Sequence, residues 1–107
     1  MAGLYTSGDW HVKKGSEQAF VEAWQELAEW TTANIPGCTF AKLLRDESDA
    51  NHFVSFSPWR DERAVAVWRE HRGFQQRIGH LRELLESFTP LTMNLVAEGG
   101  PPTPDPW

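Results

Sequence analysis

CTFAKLLRDESDANHFVSFSPW, residues Cys38–Trp59, is the stretch that decides the fold. Cys38–Arg45 reads as one strand and Asp46-Glu47-Ser48-Asp49-Ala50-Asn51 as a polar loop. His52–Ser57 reads as a second strand, ended by Pro58. Two strand-like runs joined by so short a loop pair antiparallel. Helical patterns flank the pair on both sides. Upstream, Phe20, Trp24, Leu27, Ala28 and Thr31 recur at spacings of three and four over Glu17–Asn34. They form one apolar stripe, with Glu22, Gln25, Glu26 and Glu29 on the other side. Ser16 is the expected N-cap, and Glu17 and Glu22 lie near the positive helix end. Ile35-Pro36-Gly37 stops the helix, because proline restricts its predecessor and glycine permits a sharp exit. Downstream, Asp61 starts a helical stretch that carries Ala64, Val65 and Trp68 and breaks or bends at Gly73. It resumes with Phe74, Ile78, Leu81, Leu85 and Phe88, an apolar seam spaced four, three, four, three that Thr89-Pro90 ends.

Working outward, Leu4–Val12 alternates as a strand. Leu4, Thr6, Gly8, Trp10 and Val12 share one face; Tyr5, Ser7, Asp9 and His11 share the other. Lys13-Lys14-Gly15 makes the turn into the first helix. Leu91–Ala97 is the expected fourth strand. The order is β-α-β-β-α-β, an α+β, ferredoxin-like arrangement in which an antiparallel four-stranded sheet carries both helices on one face. The other face, with Tyr5, His52, Val54 and Phe56, is partly apolar and needs cover, so a homodimer packed sheet to sheet is expected. Residues 1–97 form this domain. Residues 98–107 are a Pro/Gly-rich tail, four prolines and two glycines in ten residues, expected to be extended, with Trp107 docking on the body or a partner.

Composition narrows the function classes. The chain has 107 residues, enough for one domain. Ten Lys plus Arg against fifteen Asp plus Glu leave a net charge of −5, with no basic stripe for nucleic acid. The single cysteine, Cys38, excludes an internal disulfide and a cysteine-rich zinc site. No apolar run reaches the roughly 20 residues of a membrane span, and Met1–Val12 lacks a signal-peptide pattern, so a cytoplasmic location is expected. No phosphate-binding glycine loop, Gly-x-Ser-x-Gly elbow or His-Glu-x-x-His helix is present.

Six tryptophans remain to be explained. Trp10 lies on the first strand, Trp59 just past the third, Trp68 on the second helical stretch and Phe74 just after its glycine. Trp59 and Trp68 fall where strand hands over to helix, an end where a cleft commonly opens, and Ser55 and Ser57 share a strand face with Trp59. An apolar cleft with a few placed polar groups is the usual small-molecule site. Ordinary core packing competes with this reading, above all for Trp24. The four histidines, His11, His52, His71 and His80, form no i, i+4 pair, so no metal site is expected. Cys38 reads as a small core residue.

The chain resembles the antibiotic biosynthesis monooxygenase family over about residues 4–97. The carriers are Gly8-Asp9-Trp10-His11-Val12-Lys13-Lys14-Gly15 with Glu17 and Phe20, Pro36-Gly37-Cys38, Phe53-Val54-Ser55-Phe56-Ser57-Pro58-Trp59, and the segment from Trp68 to Phe74. The resemblance implies a homodimer whose two sheets pack into an α/β barrel, with a pocket between sheet and helices in each subunit. It also implies oxygenase chemistry on aromatic polyketides or quinols without a cofactor, or haem degradation. In the polyketide oxygenases a pocket Asn stands four residues before a Trp; here Ser55 stands at the Asn position and Trp59 at the Trp. In the haem-degrading members a strand Asn, a helix Trp and a helix His act together; here Gly8, Trp68 and Ile78 occupy those positions, with His80 two residues on.

The expected function is therefore a cofactor-independent monooxygenase that oxidises a planar aromatic substrate with O2. Trp59, Ser55 and His80 are the expected catalytic residues, and Trp10, Trp68, His71, Phe74 and Ile78 the substrate-binding ones. The expected partners are a second copy of the chain, a small aromatic substrate and O2, with no nucleic acid and no membrane. A non-catalytic dimer that binds a small ligand is the alternative, a tail-directed interaction protein a third, and haem degradation stands behind the first reading.

Overall fold

The computed structural model describes residues 3–101. Its elements run β1 (Leu4–Val12), α1 (Glu17–Asn34), β2 (Lys42–Asp46), β3 (Asp49–Trp59), α2 (Glu62–Glu70), α3 (Arg72–Arg82) and β4 (Leu85–Asn94). The strands form one sheet in the order β2-β3-β1-β4, and every neighbouring pair is antiparallel. This is the expected ferredoxin-like α+β arrangement. The positions expected for Trp107 and the end of the tail lie outside the described residues.

β1 and α1 have the bounds their patterns predict. Other boundaries differ, among them the start of β3 at Asp49 and the end of β4 at Asn94; three of the differences have a direct physical reason. β2 starts at Lys42 rather than Cys38, because Cys38 leaves the sheet to pack with Ile35, Trp59, Ala64 and Val65. β3 runs through Pro58 to Trp59. β2 ends opposite Phe56, so Pro58 lies where β3 has lost its neighbour on that side and needs no N–H for a ladder. The helical seam stops at Arg82, and Leu85 and Phe88 belong to β4. The pairing shifts between His11 and Val12, which face Ser87 and Leu85 in turn. That bulge turns both Leu85 and Phe88 inward although three residues separate them, which mimics a helical spacing. Pro90 sits within β4, an edge strand bonded only to β1, where its missing N–H costs nothing.

The break between the last two helices falls at His71, not Gly73. His71 is extended (φ −70°, ψ 135°), and its Nδ1 accepts a hydrogen bond from the Gly73 N–H at 2.9 Å, which caps α3. Asp61 caps α2 in the same way, accepting from the Ala64 N–H at 2.8 Å.

The helices cover one face of the sheet. Trp10, Val12, Phe20, Leu27, Phe53, Ile78, Leu81 and Leu85 form the main core, and Trp59 anchors a second cluster at the α2 end. The outer face carries Leu44, Val54, Leu91 and Met93, all exposed, beside Tyr5 and Phe56. It turns polar toward the end of β1, where His52 is held between Asp46 and Asp9. The hydrogen bond from His52, with two from Ser48, lowers the Asp46 carboxyl to about 2, and the two carboxylates raise His52 above its ordinary value. No helix among the described residues is long and apolar enough to cross a membrane.

Candidate active site

A buried indole N–H needs an acceptor, and three tryptophans find theirs on hydroxyls. Trp10 Nε1 donates to Ser55 Oγ at 2.9 Å, Trp59 Nε1 to Thr6 Oγ1 at 2.8 Å and Trp68 Nε1 to Thr31 Oγ1 at 2.9 Å. The first two bonds cross from β1 to β3, and the third joins α2 to α1. Between these layers lies a cavity of about 400 Å³. Its floor is Thr6, Gly8 and Trp10 of β1, Ser55 and Ser57 of β3, and Phe88, Pro90 and Thr92 of β4. Trp24, Leu27, Ala28 and Thr31 of α1, Trp68 and Arg69 of α2, and Phe74, Ile78 and Arg82 of α3 close it from the helix side.

Two aromatic pairs dominate the walls. On the sheet, Trp10 stacks on Phe88 with centroids 4.0 Å apart and planes 11° apart. On the helices, Trp68 packs on Phe74 at 4.4 Å. Gly8 leaves the floor open between Trp10 and Ser55. A Cβ there would stand 2.6 Å from Trp10 Nε1 and 2.9 Å from Ser55 Oγ, so the close approach requires glycine. Ser55 accepts from Trp10 and keeps its own hydrogen to donate.

Of the residues singled out from sequence, Trp10, Ser55, Trp68, Phe74 and Ile78 line the cavity. Trp59 does not. It is fully buried behind Trp68, with centroids 4.9 Å apart, and its N–H is spent on Thr6. His71 caps α3 with its edge on Trp30, and His80 is exposed beside Glu83. Neither reaches the cavity: His71 is extended and folds back to cap the helix, and the seam that buries Ile78 and Leu81 turns His80 outward.

Sequence reasoning passed over Arg69 and Arg82. They are the only ionisable side chains lining the cavity among the described residues, and both stand at its exposed rim. Arg69 Nη2 donates to Thr92 Oγ1 at 3.1 Å and so ties α2 to β4. The signal available was their place beside apolar helix positions, Arg69 after Trp68 and Arg82 after Leu81. A wider groove of about 550 Å³ lies across Trp24, between α1 and residues 39–45. It lacks the facing aromatic pairs. Cys38 is sealed in the second core cluster, and burial pushes its thiol up to about 11, so it is no nucleophile.

The sequence profile of the antibiotic biosynthesis monooxygenase family matches residues 6–90. Among solved structures, a point variant of SnoaB, a cofactor-independent oxygenase from Streptomyces nogalater, superposes with a TM-score of 0.82 at 21% identity, covering 96% of this chain and 100% of its own. A conserved protein from Methanosarcina mazei Go1 superposes with a TM-score of 0.80 at 18% identity, covering 90% and 95%. PA3566 from Pseudomonas aeruginosa gives 0.76 at 18% identity, covering 91% and 97%. No curated protein sequence matches the chain.

Proposed function

The chain belongs to the antibiotic biosynthesis monooxygenase family, and from that premise we propose that it oxidises a planar aromatic substrate with O2 in the cavity between sheet and helices, without a cofactor. The observation that carries this reading is the pair of aromatic walls, Trp10–Phe88 and Trp68–Phe74, on opposite sides of one cavity. Such walls hold a flat ring by stacking. A volume of about 400 Å³ lies in the range of small-molecule sites.

No carboxylate or imidazole among the described residues lines the cavity. The substrate must therefore bring its own acidity, as an anthrone- or quinol-type phenol does. Arg69 and Arg82, permanently cationic, stabilise the anion once it forms, and the Ser55 hydroxyl donates to its oxygen. The anion passes one electron to O2, the radical pair joins as a peroxide anion, and the proton first released to solvent returns to make the hydroperoxide. In an anthrone-type substrate, loss of water then leaves a carbonyl where the substrate had a methylene. One oxygen atom enters the product, the other leaves as water, and no outside reductant is consumed. The helices keep bulk water from the intermediates. A second copy of the chain covers the apolar outer face.

The missing resident base also favours a second reading, a module that binds the same flat ligands without turning them over. Oxygen uptake by chelator-treated protein against a panel of anthrones and hydroquinones separates the two. The oxygenase reading expects one O2 per substrate oxidised. It also expects loss of uptake in Ala28→Leu, which fills the cavity from α1, and a fall of about tenfold or more in Arg82→Gln. Tight binding of the panel with no oxygen consumed selects the second reading. Uptake unchanged in both variants sinks the site.

A further inference from the structure

Away from the cavity, on the outer face of the sheet, β1 and β3 bring three metal-ligating side chains together. His11 and His52 are direct register partners, and their rings stack with centroids 4.6 Å apart and planes 13° apart. Asp9 precedes His11 by two residues and so points to the same face. Its Oδ1 lies 2.5 Å from His52 Nε2 and 3.6 Å from His11 Nε2. The three donor atoms all fall within 4.8 Å of one another. A fourth residue orients the set: Asp46, on β2, binds the other ring nitrogen of His52, Nδ1, at 2.9 Å.

That last contact constrains the chemistry. With Asp46 on Nδ1, His52 presents Nε2 to the same space as Asp9 Oδ1 and His11 Nε2. A divalent cation uses all three donors at once. A carboxylate that fixes a histidine through its far nitrogen is also the usual support of a metal-bound imidazole. We propose that Asp9, His11 and His52 bind one late first-row divalent cation of the zinc type, with Asp46 as the positioning residue.

Two imidazoles and one carboxylate suit zinc, nickel or copper and disfavour magnesium and calcium, which take oxygen donors. Tetrahedral bonds of about 2.0–2.1 Å hold ligand atoms roughly 3.3 Å apart, so Asp9 must move outward by less than about 1 Å and the His11 ring must turn out of its stack on His52 to bring its plane onto the ion. Both side chains are 47% exposed and have room to do so. Water fills the remaining position. The site is on the opposite side of the sheet from the cavity. Its effect is to clamp β1 to β3 at their polar end.

The test is calorimetric titration of chelator-stripped, full-length protein with Zn2+, and visible spectroscopy with Co2+. The expected result is one Zn2+ per chain with micromolar or tighter affinity, ligand-field bands with Co2+, and no heat with Mg2+. Asp9→Asn and His11→Ala should each abolish the Co2+ bands. Asp46→Asn should keep the bands and weaken Zn2+ by about tenfold or more. Asp49→Asn, an acid just outside the set, should bind as the parent does. Asp9 and His11 are half-exposed, so these variants decide the matter even where substitution of His52 unfolds the chain. Absence of Zn2+ and Co2+ binding overturns the proposal, as does equal binding of Mg2+ or undiminished binding by Asp9→Asn and His11→Ala.

Discussion

Trp10, Trp59 and Trp68 each rest an N–H on one hydroxyl, and the cost of losing that hydroxyl depends on whether water can replace it. Thr6 and Trp59 are both buried, so Thr6→Val leaves a dry, unpartnered indole N–H. It should destabilise the fold by about 1–3 kcal/mol. Thr31→Val should cost less, because Trp68 borders the cavity and water there can take its N–H. Urea denaturation with an unchanged m-value would measure both; equal costs would refute the distinction. Cys38 supplies a pH dependence. Desolvation raises the folded thiol to about 11 against an ordinary 9.0. The folded state therefore keeps a proton that the unfolded state loses, and stability falls as pH rises between those values. Cys38→Ala should flatten that fall, and thiol reagents at pH 8 should label the native chain only as fast as it opens. The same burial logic decides what could be read in advance. Trp10, Ser55, Trp68, Phe74 and Ile78 have inward positions set by strand alternation or helical spacing, so their place at the cavity was legible. Trp59 was not separable from Trp68, because both are aromatic residues at one strand–helix junction. Only depth distinguishes them, and depth is a tertiary property. Arg69 and Arg82 were missed because a charged residue beside an apolar one reads as the solvated side of a helix.

At the scale of elements, the packing of α3 on α1 depends on a missing side chain. Gly73 opens α3 directly over the Trp30 ring, and any Cβ there would overlap the indole. Trp30 has little room to retreat: the Arg77 guanidinium lies 4.8 Å over its face and His71 meets it at 4.9 Å. Gly73→Ala therefore sets an overpacking cost of about 1–3 kcal/mol against a helix-propensity gain of about 0.5–1 kcal/mol. The net effect should be a loss of up to about 2 kcal/mol, seen as a lower thermal midpoint with native circular dichroism. A rise in the midpoint would mean that α3 shifts freely on α1. This glycine was legible as an interruption but not as a contact. Its neighbour His71 takes the break, because a cap needs an acceptor side chain, which glycine lacks. The end of α3 was misread for a different reason. Leu81, Leu85 and Phe88 keep helical spacing, and only the bulge opposite His11–Val12 shows that a strand can produce it. Bulges depend on the partner strand, so no local pattern announces them. β1 and α1 were legible residue for residue, since each has one wet and one dry face and ends in turn residues.

For the molecule as a whole, the unanswered demand is the outer face of the sheet. Leu44, Val54, Leu91 and Met93 are 37–55% exposed there, beside Tyr5 and Phe56. Their places follow from the register: Tyr5 faces Met93, Ser7 faces both Leu91 and Phe56, and Leu44 faces Val54. The patch is thus continuous across all four strands and fades into Asp9, His11 and His52 at one end. Contiguous apolar surface of this kind marks an interface, and the occupant proposed above is a second copy with its own apolar sheet. Light scattering should therefore give twice the chain mass of 12.2 kDa. Leu91→Glu with Met93→Glu places two carboxylates in the patch without touching the helix-side core, since both residues point outward from β4. An unpaired charge buried at an interface is strongly unfavourable, so the double variant should run as a 12.2 kDa monomer with native secondary structure. A parent that is itself monomeric would leave the patch to another occupant. A double variant that stays dimeric would put the interface elsewhere. Because the cavity lies wholly between one chain's sheet and its own helices, the monomeric variant should still bind the flat ligands of the parent. That separates assembly from the site.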